Sequence, residues 1–148
     1  MDTESIRFAF AVDNDENFVA KHFGDADKYL IYEWVNNEFV FLKEEVNRFK
    51  SSSEVIEHGS VKKGLSIMEF LLSLNVLVLV SRQFGKNIQM VNRLFIPVIV
   101  YSEEPAVVLE TIGKHIKWIK DELKNNSGSY GLFMMKNGII RKTIREKD

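Results

Sequence analysis

From Ile6 to Val12 (IRFAFAV) apolar residues of strand-forming types follow one another almost without interruption, as in a strand covered on both faces. KYLIYEWV (28–35) and EFVFLKEE (38–45) are aromatic-rich and flank Asn36-Asn37, a pair suited to a tight turn with positive φ, so they read as a hairpin. Residues 44–60 (EEVNRFKSSSEVIEHGS) hold no period and contain a serine run; they predict a long loop. From Val61 the positions Leu65, Met68, Leu71 and Leu72 recur at helical steps, with Ser60 as the expected N-cap. VLVLV (76–80) predicts a central parallel strand, KNIQMVNRLF (86–95) a short helix and PVIVY (97–101) another buried strand. A helix capped by Ser102, with Glu103, Glu104 and Pro105 in its first turn, carries the stripe Leu109, Ile112, Ile116, Ile119 and Leu123.

Right-handed crossovers set the fourth and fifth strands parallel to the first, while the hairpin makes the second antiparallel and the third parallel again. The expected fold is a three-layer α/β domain over residues 1–125 with a mixed five-stranded sheet in the order 3-2-1-4-5. Residues 126–148 are expected to be a linker and a C-terminal β-hairpin that turns at Asn137-Gly138. Its Leu132, Phe133, Met134, Met135, Ile139, Ile140 and Ile144 offer more apolar surface than a two-stranded ribbon can bury. It either folds back on its own domain or reaches a second copy. The Asn125-to-Ser129 linker favours the second option, so a homodimer is expected.

Composition narrows the function classes. A chain of 148 residues that is 45% hydrophobic can bury a core of its own. Its net charge of −1 gives no field that would gather nucleic acid or an acidic membrane surface, and neither is expected as a partner. Without a single cysteine there are no disulfides, no thiolate metal ligands and no redox pair, which fits the cytoplasm. The start, Met1-Asp2-Thr3-Glu4-Ser5, lacks the apolar stretch of a leader, and no apolar run is long enough to span a bilayer.

The predicted topology brings the loops 13–28, 44–60 and 81–87 to one carboxyl edge of the sheet, where open α/β sheets bind ligands. His22 lies on the first loop, His58 on the second, and Ser81 to Asn87 form the third. Gly85, just before a helix, lets backbone approach a ligand, the helix N-H groups favour an anion, and Arg82 and Lys86 add positive charge. Such a crevice suits an anionic ligand that also takes imidazole coordination or hydrogen bonds. The plain alternative is that these histidines are ordinary polar residues and Gly85 merely turns the chain. His115, beside the Ile112 and Ile119 stripe and flanked by Lys114 and Lys117, reads as solvated or partly packed.

RFAFAVD…HFGDADKYLIYEW, then HG…GLSIMEFLLSLNVLVLV, then FGKNIQMVNRLFIPVIVY resemble the dinitrogenase iron-molybdenum cofactor biosynthesis family over about residues 6–123. His22-Phe23-Gly24 matches its triplet, His58-Gly59 its turn before the first helix, and Gly85, Lys86 and Asn87 its glycine-containing turn. The chain departs from the family pattern at Ser81, Arg82 and Gln83, where small residues are usual, and at Lys86, where proline is usual. The resemblance implies a ribonuclease-H-like fold and a noncatalytic carrier of an anionic iron-sulfur or molybdenum-iron-sulfur cofactor. His22 and His58 would be its metal-contacting residues, and cofactor donor or acceptor proteins its partners. Lack of cysteine suits loose holding of a preformed cluster, since stable clusters take several thiolates. It equally suits a regulatory or protein-interaction module that has lost cluster binding. A third reading, a two-metal nuclease, would start from Asp13 at the end of the first strand with Asp15 and Glu16 nearby. Helix one offers only Glu69 and the fourth strand ends in Arg82, so the carboxylate set is incomplete and Asp13-Asn14-Asp15 reads as a solvated turn. No catalytic residue is assigned.

Overall fold

The computed structural model describes residues 5–49, 57–85, 88–136 and 139–143, without the side chains of 57–64, 139 and 141–143. Among the described residues seven strands, β1 (Ile6–Val12), β2 (Lys28–Val35), β3 (Glu38–Val46), β4 (Val76–Ser81), β5 (Ile96–Val100), β6 (Leu132–Lys136) and β7 (Ile139–Thr143), form one sheet in the order β3-β2-β1-β4-β5-β6-β7. β1 pairs antiparallel with β2 and parallel with β4, β2 pairs antiparallel with β3, and β4 pairs parallel with β5, as the crossover rules require. Asn36 and Asn37 take φ of 55° and 64°, the conformation a two-residue hairpin turn needs and that asparagine tolerates.

Alternation along the strands sorts the core into two faces. Phe8, Phe10, Val12, Val78, Val80, Val98 and Phe133 pack with Val108, Ile112 and Ile119 of helices α3 (Pro105–Lys114) and α4 (Ile116–Asn125). Ala9, Ala11, Ile31 and Leu79 pack on the other face with Ile67, Met68 and Leu71 of α1 (Glu57–Ser73) and Val91 of α2 (Ile88–Leu94). The expected three layers and the order 3-2-1-4-5 are present, and the sheet continues beyond β5.

Three expectations change. β6 pairs in parallel with β5 of its own chain, through Val98–Phe133, Ile99–Met134 and Val100–Met135, so the C-terminal hairpin extends the sheet in cis instead of reaching a neighbour. Phe133, Met135 and Ile140 find their cover in the face that α4 already shields. The long loop 44–60 is shorter at both ends: β3 runs to Val46 and the chain is already helical at Glu57. Periodicity marks a buried face, and a first turn of Glu57, His58, Gly59 and Ser60 carries no apolar residue to mark it; Ser60 lies inside the helix. The single helix after Ser102 is two helices that break at His115 (φ −118°, ψ 26°), and the first is capped at Glu104 with Pro105 at N1. Gly113 brings α3 close to the sheet, since a Cβ there would stand 3.3 Å from Trp34 Cζ3. Both helices face one core, so their apolar stripe runs on through the break. The turn at Asn137-Gly138 lies outside the described residues.

Candidate functional site

At the carboxyl end of β1 the chain makes two turns in succession. Asp13 Oδ1 accepts from the N-H groups of Asp15 (2.8 Å) and Asn17 (3.0 Å), and Asp13 N-H donates to Asn17 O (2.8 Å), which closes the first turn on itself. This is the solvated turn expected of Asp13-Asn14-Asp15. The chain then runs back beside β1 through a bridge between Val12 and Phe18, and Val19 N-H donates to Ala11 O (3.2 Å).

His22 opens the second turn. It is exposed, stands in extended backbone (φ −67°, ψ 157°) and precedes a 3₁₀ turn at Phe23–Asp25. A parallel bridge joins it to Gln83, Phe23 N-H donates to Gln83 O (2.8 Å), and Gln83 Nε2 donates to Ala20 O (3.3 Å). The buried Ser81 hydroxyl donates to the same Gln83 carbonyl (3.1 Å), so the loops after β1 and β4 are fastened together. Phe23 is buried and stacks on Tyr29 (4.9 Å between ring centres) and on Phe84 (5.6 Å). It anchors the turn in the core, and within the triplet only His22 is exposed.

Gly85 sits at φ +73°, and a Cβ built on it would meet His22 Nδ1 at 2.8 Å and Cε1 at 3.0 Å. Glycine is required twice over: for the left-handed backbone and because the imidazole fills the space of a side chain. The close approach that Gly85 permits is made here by the His22 ring. Arg82 follows β4 on the same edge, partly exposed, and its Nε is buried with no hydrogen-bond partner among the described residues. An orphaned guanidinium N-H there is suited to an anionic acceptor.

Asn47, just past β3, ties the second turn down and left no signal in the sequence. It is buried, and its Nδ2 donates to Ala26 O (2.9 Å) and Gly24 O (3.0 Å) and lies 3.3 Å from the Tyr29 hydroxyl, while its Oδ1 accepts from Phe49 N-H (2.9 Å). The Tyr29 hydroxyl in turn donates to Phe23 O (2.9 Å). Burial, with the Asp25 carboxylate adding to it, pushes the Tyr29 phenol well above its ordinary pKa, so it stays a donor. Nearby, Lys28 joins Glu44 of β3 (2.9 Å) to Glu16 of the first turn (3.3 Å), and the Glu44 hydrogen bond leads the effects that raise its pKa.

The structure thus brings together His22, Gly85 and the Arg82 segment. His58 and Gly59 occupy the first turn of α1, a helix that packs against the Phe23 turn; the expected approach of the His58 ring to His22 lies outside the described side chains, as do Lys86 and Asn87 entirely. His115 is partly packed, against Trp118 (4.8 Å between rings) on the other face of the sheet. Among the described residues no group of three or more histidine, aspartate or glutamate side chains could cage a metal ion. No described helix is long and apolar enough to cross a membrane.

The family model described as dinitrogenase iron-molybdenum cofactor matches residues 4–124. The chain belongs to this family. The match takes in both turns, the β4 loop and the four described helices to within one residue of the end of α4, and stops before β6 and β7. No individual curated protein matches the chain. Membership relates the protein to the iron-molybdenum cofactor of dinitrogenase; within that frame the clamped turn explains the triplet as one exposed imidazole, one aromatic anchor and a glycine whose carbonyl Asn47 holds.

Proposed function

We propose that the protein is a noncatalytic carrier that holds a preformed, anionic iron-sulfur or molybdenum-iron-sulfur cluster by the His22 imidazole, with Arg82 and Lys86 offsetting its charge and His58 as a second imidazole. The observation that supports this most is the fixed presentation of an exposed His22 on Gly85 at the carboxyl edge, in a loop that also carries Arg82, whose Nε has no acceptor among the described residues. Family membership points to the same class of cargo. The donor set fits a cargo and not a resident cofactor. A chain without cysteine supplies no thiolate cage, whereas a cluster that arrives assembled needs one or two protein ligands and a cationic rim. Cofactor donor and acceptor proteins are the partners this reading requires. The test is anaerobic mixing with a preassembled cluster, then desalting and metal analysis. The wild type is expected to retain metal and His22→Ala to lose most of it; equal retention would remove His22 from the role, and no retention by either would remove the carrier reading.

A second reading, a protein-interaction module without cargo, draws on the ring of His22 lying over Gly85, where a ligand would otherwise approach the backbone. It predicts that His22→Ala disturbs a protein partner's binding while metal retention is nil throughout.

A further inference from the structure

The β2–β3 hairpin leaves β3, nine residues long, at the edge of the sheet, and among the described residues nothing pairs with its outer side. Sheet edges are commonly blunted by charge, and Lys43, Glu44 and Glu45 do this for the second half of β3. In the first half Glu38 is the one charged residue, and it is followed by the uncharged run Phe39-Val40-Phe41, of which Val40 and Phe41 are 39% and 52% exposed.

We propose that this half-strand is a self-recognition surface, on which two copies of the chain pair β3 with β3 antiparallel about a two-fold axis at Val40. The register follows from the turn. A two-residue turn at Asn36-Asn37 closes on the pair Val35–Glu38, so in this hairpin Glu38 and Val40 direct their backbone groups toward β2, while Phe39 and Phe41 direct theirs outward. An axis at Val40 sets Phe39 against Phe41 of the second copy, twice, and each pair exchanges two backbone hydrogen bonds. It also makes a cross-strand aromatic pair on the face where Tyr32 and Trp34 already hold these rings.

Charge selects among the registers the backbone allows. With the register shift that precedes Lys43 taken into account, an axis at Phe41 would set Glu38 against Glu45 of the second copy, and an axis at Phe39 would leave Phe41 opposite Asn37. The Val40 axis opposes no like charges. A register shift in the β2–β3 pairing sets Val40 opposite Glu33 and Lys43 opposite Ile31, which places Lys43 on the same face as Glu38 and Val40. Glu38 therefore meets the second copy's Lys43, which within its own strand pairs with Glu45 (3.0 Å). The contact is small, so the dimer belongs to the weak, transient class. It is independent of the cargo reading, because β3's outer edge takes no part in the His22 turn.

The absence of cysteine makes the test direct. In an antiparallel pair without hydrogen bonds, the Cα atoms approach to about 4.5 Å, within disulfide range. Val40→Cys is expected to form a covalent dimer under mild oxidation far faster than Leu65→Cys, a slightly more exposed position on α1 (44%). Light scattering of the wild type at about 100 μM should show dimer, and Phe41→Lys should weaken association about tenfold or more. Circular dichroism of that variant should stay as in the wild type and its melting temperature within a few degrees of it, since Phe41 is half exposed and loses only its edge contact with Tyr32. A wild-type monomer at that concentration, a dimer indifferent to Phe41→Lys, or equal cross-linking of the two cysteine variants would each overturn the proposal.

Discussion

The two turns that leave β1 are built on opposite principles. The first, Asp13 to Asn17, is mainly local: one aspartate carboxylate caps two N-H groups within four residues, and its outside contacts are exposed ones, Asn14 N-H donating to Asp27 Oδ2 (3.2 Å) and Lys28 meeting Glu16. The second, His22 to Asp27, is held from afar: by Asn47 at the end of β3, by Tyr29 below it and by Gln83 and Phe84 from the loop after β4. A turn of the first kind draws most of its order from its own residues and carries little information about its surroundings. A turn of the second kind exists only when three segments of the fold are assembled, and it fixes an exposed side chain relative to all of them. That is the construction expected where a ligand must be met by a group in a defined place.

The largest effect should come from the aromatic anchor. Phe23→Ala removes a buried ring stacked on two others and should cost about 3–5 kcal/mol, measured by urea unfolding. The loss should fall on the whole domain, because Phe23 joins the core that α1 and α2 cover. If it instead cost about as much as a surface change, below about 0.5 kcal/mol, the second turn would be no more anchored than the first.

Asn47→Ala should come next, at about 2–3 kcal/mol, since it leaves the Gly24 and Ala26 carbonyls without their donor. Asn47→Asp separates position from volume: the shape is kept and the amide donor is lost. The sharper readout is His22 itself. Its ring lies on Gly85, so the Gly85 α-protons should be shifted by the imidazole in the wild type and relax toward ordinary values in Asn47→Asp, with the core methyl signals of Val91 unmoved. Unchanged Gly85 signals would show that the clamp does not set the imidazole.

Tyr29→Phe should cost about 1 kcal/mol at neutral pH, one hydrogen bond to Phe23 O. It should also change the alkaline limit. The folded phenol holds its proton more tightly than the unfolded one, chiefly through burial, so its contribution is complete below the unfolded pKa. Above about pH 10 only the unfolded state ionises, and stability falls by about 1.4 kcal/mol per pH unit for that group. The variant should lack this component of the slope, while Tyr32, raised first by burial and then by Glu16, keeps its own.

How much of this was legible in the sequence follows the same division. Strand identities, the Asn36-Asn37 turn, the sheet order and the Asp13 turn rest on period and on neighbours a few residues apart, and they read directly. His22 and Gly85 could be picked out as residue types, but not that one fills the other's missing side chain, since 63 positions separate them. Asn47 is a lone polar residue after a strand; its three partners lie 18 to 23 residues back and leave no local pattern. The hairpin at the C-terminus showed its apolar surplus without showing what covers it, because a parallel pairing with β5 is set by topology and not by either strand alone.

The smallest effect belongs to the local turn, and it is the control on which the comparison depends. Asp13→Ala removes an acceptor from two N-H groups that face water, so these groups are resolvated and the cost should be about 0.5–1 kcal/mol. Asp13→Asn should recover most of it, because the amide oxygen accepts the same two bonds. Neither variant should move the Gly85 α-protons or metal retention, since the chain returns along β1 through Phe18 and Val19 before His22 begins. A nuclease site would behave otherwise: Asp13→Asn would then abolish divalent-metal-dependent cleavage while leaving stability almost untouched. If instead Asp13→Ala shifted Gly85 as strongly as Asn47→Asp does, the two turns would be one cooperative unit. The presentation of His22 would then rest on local as well as distant bonds.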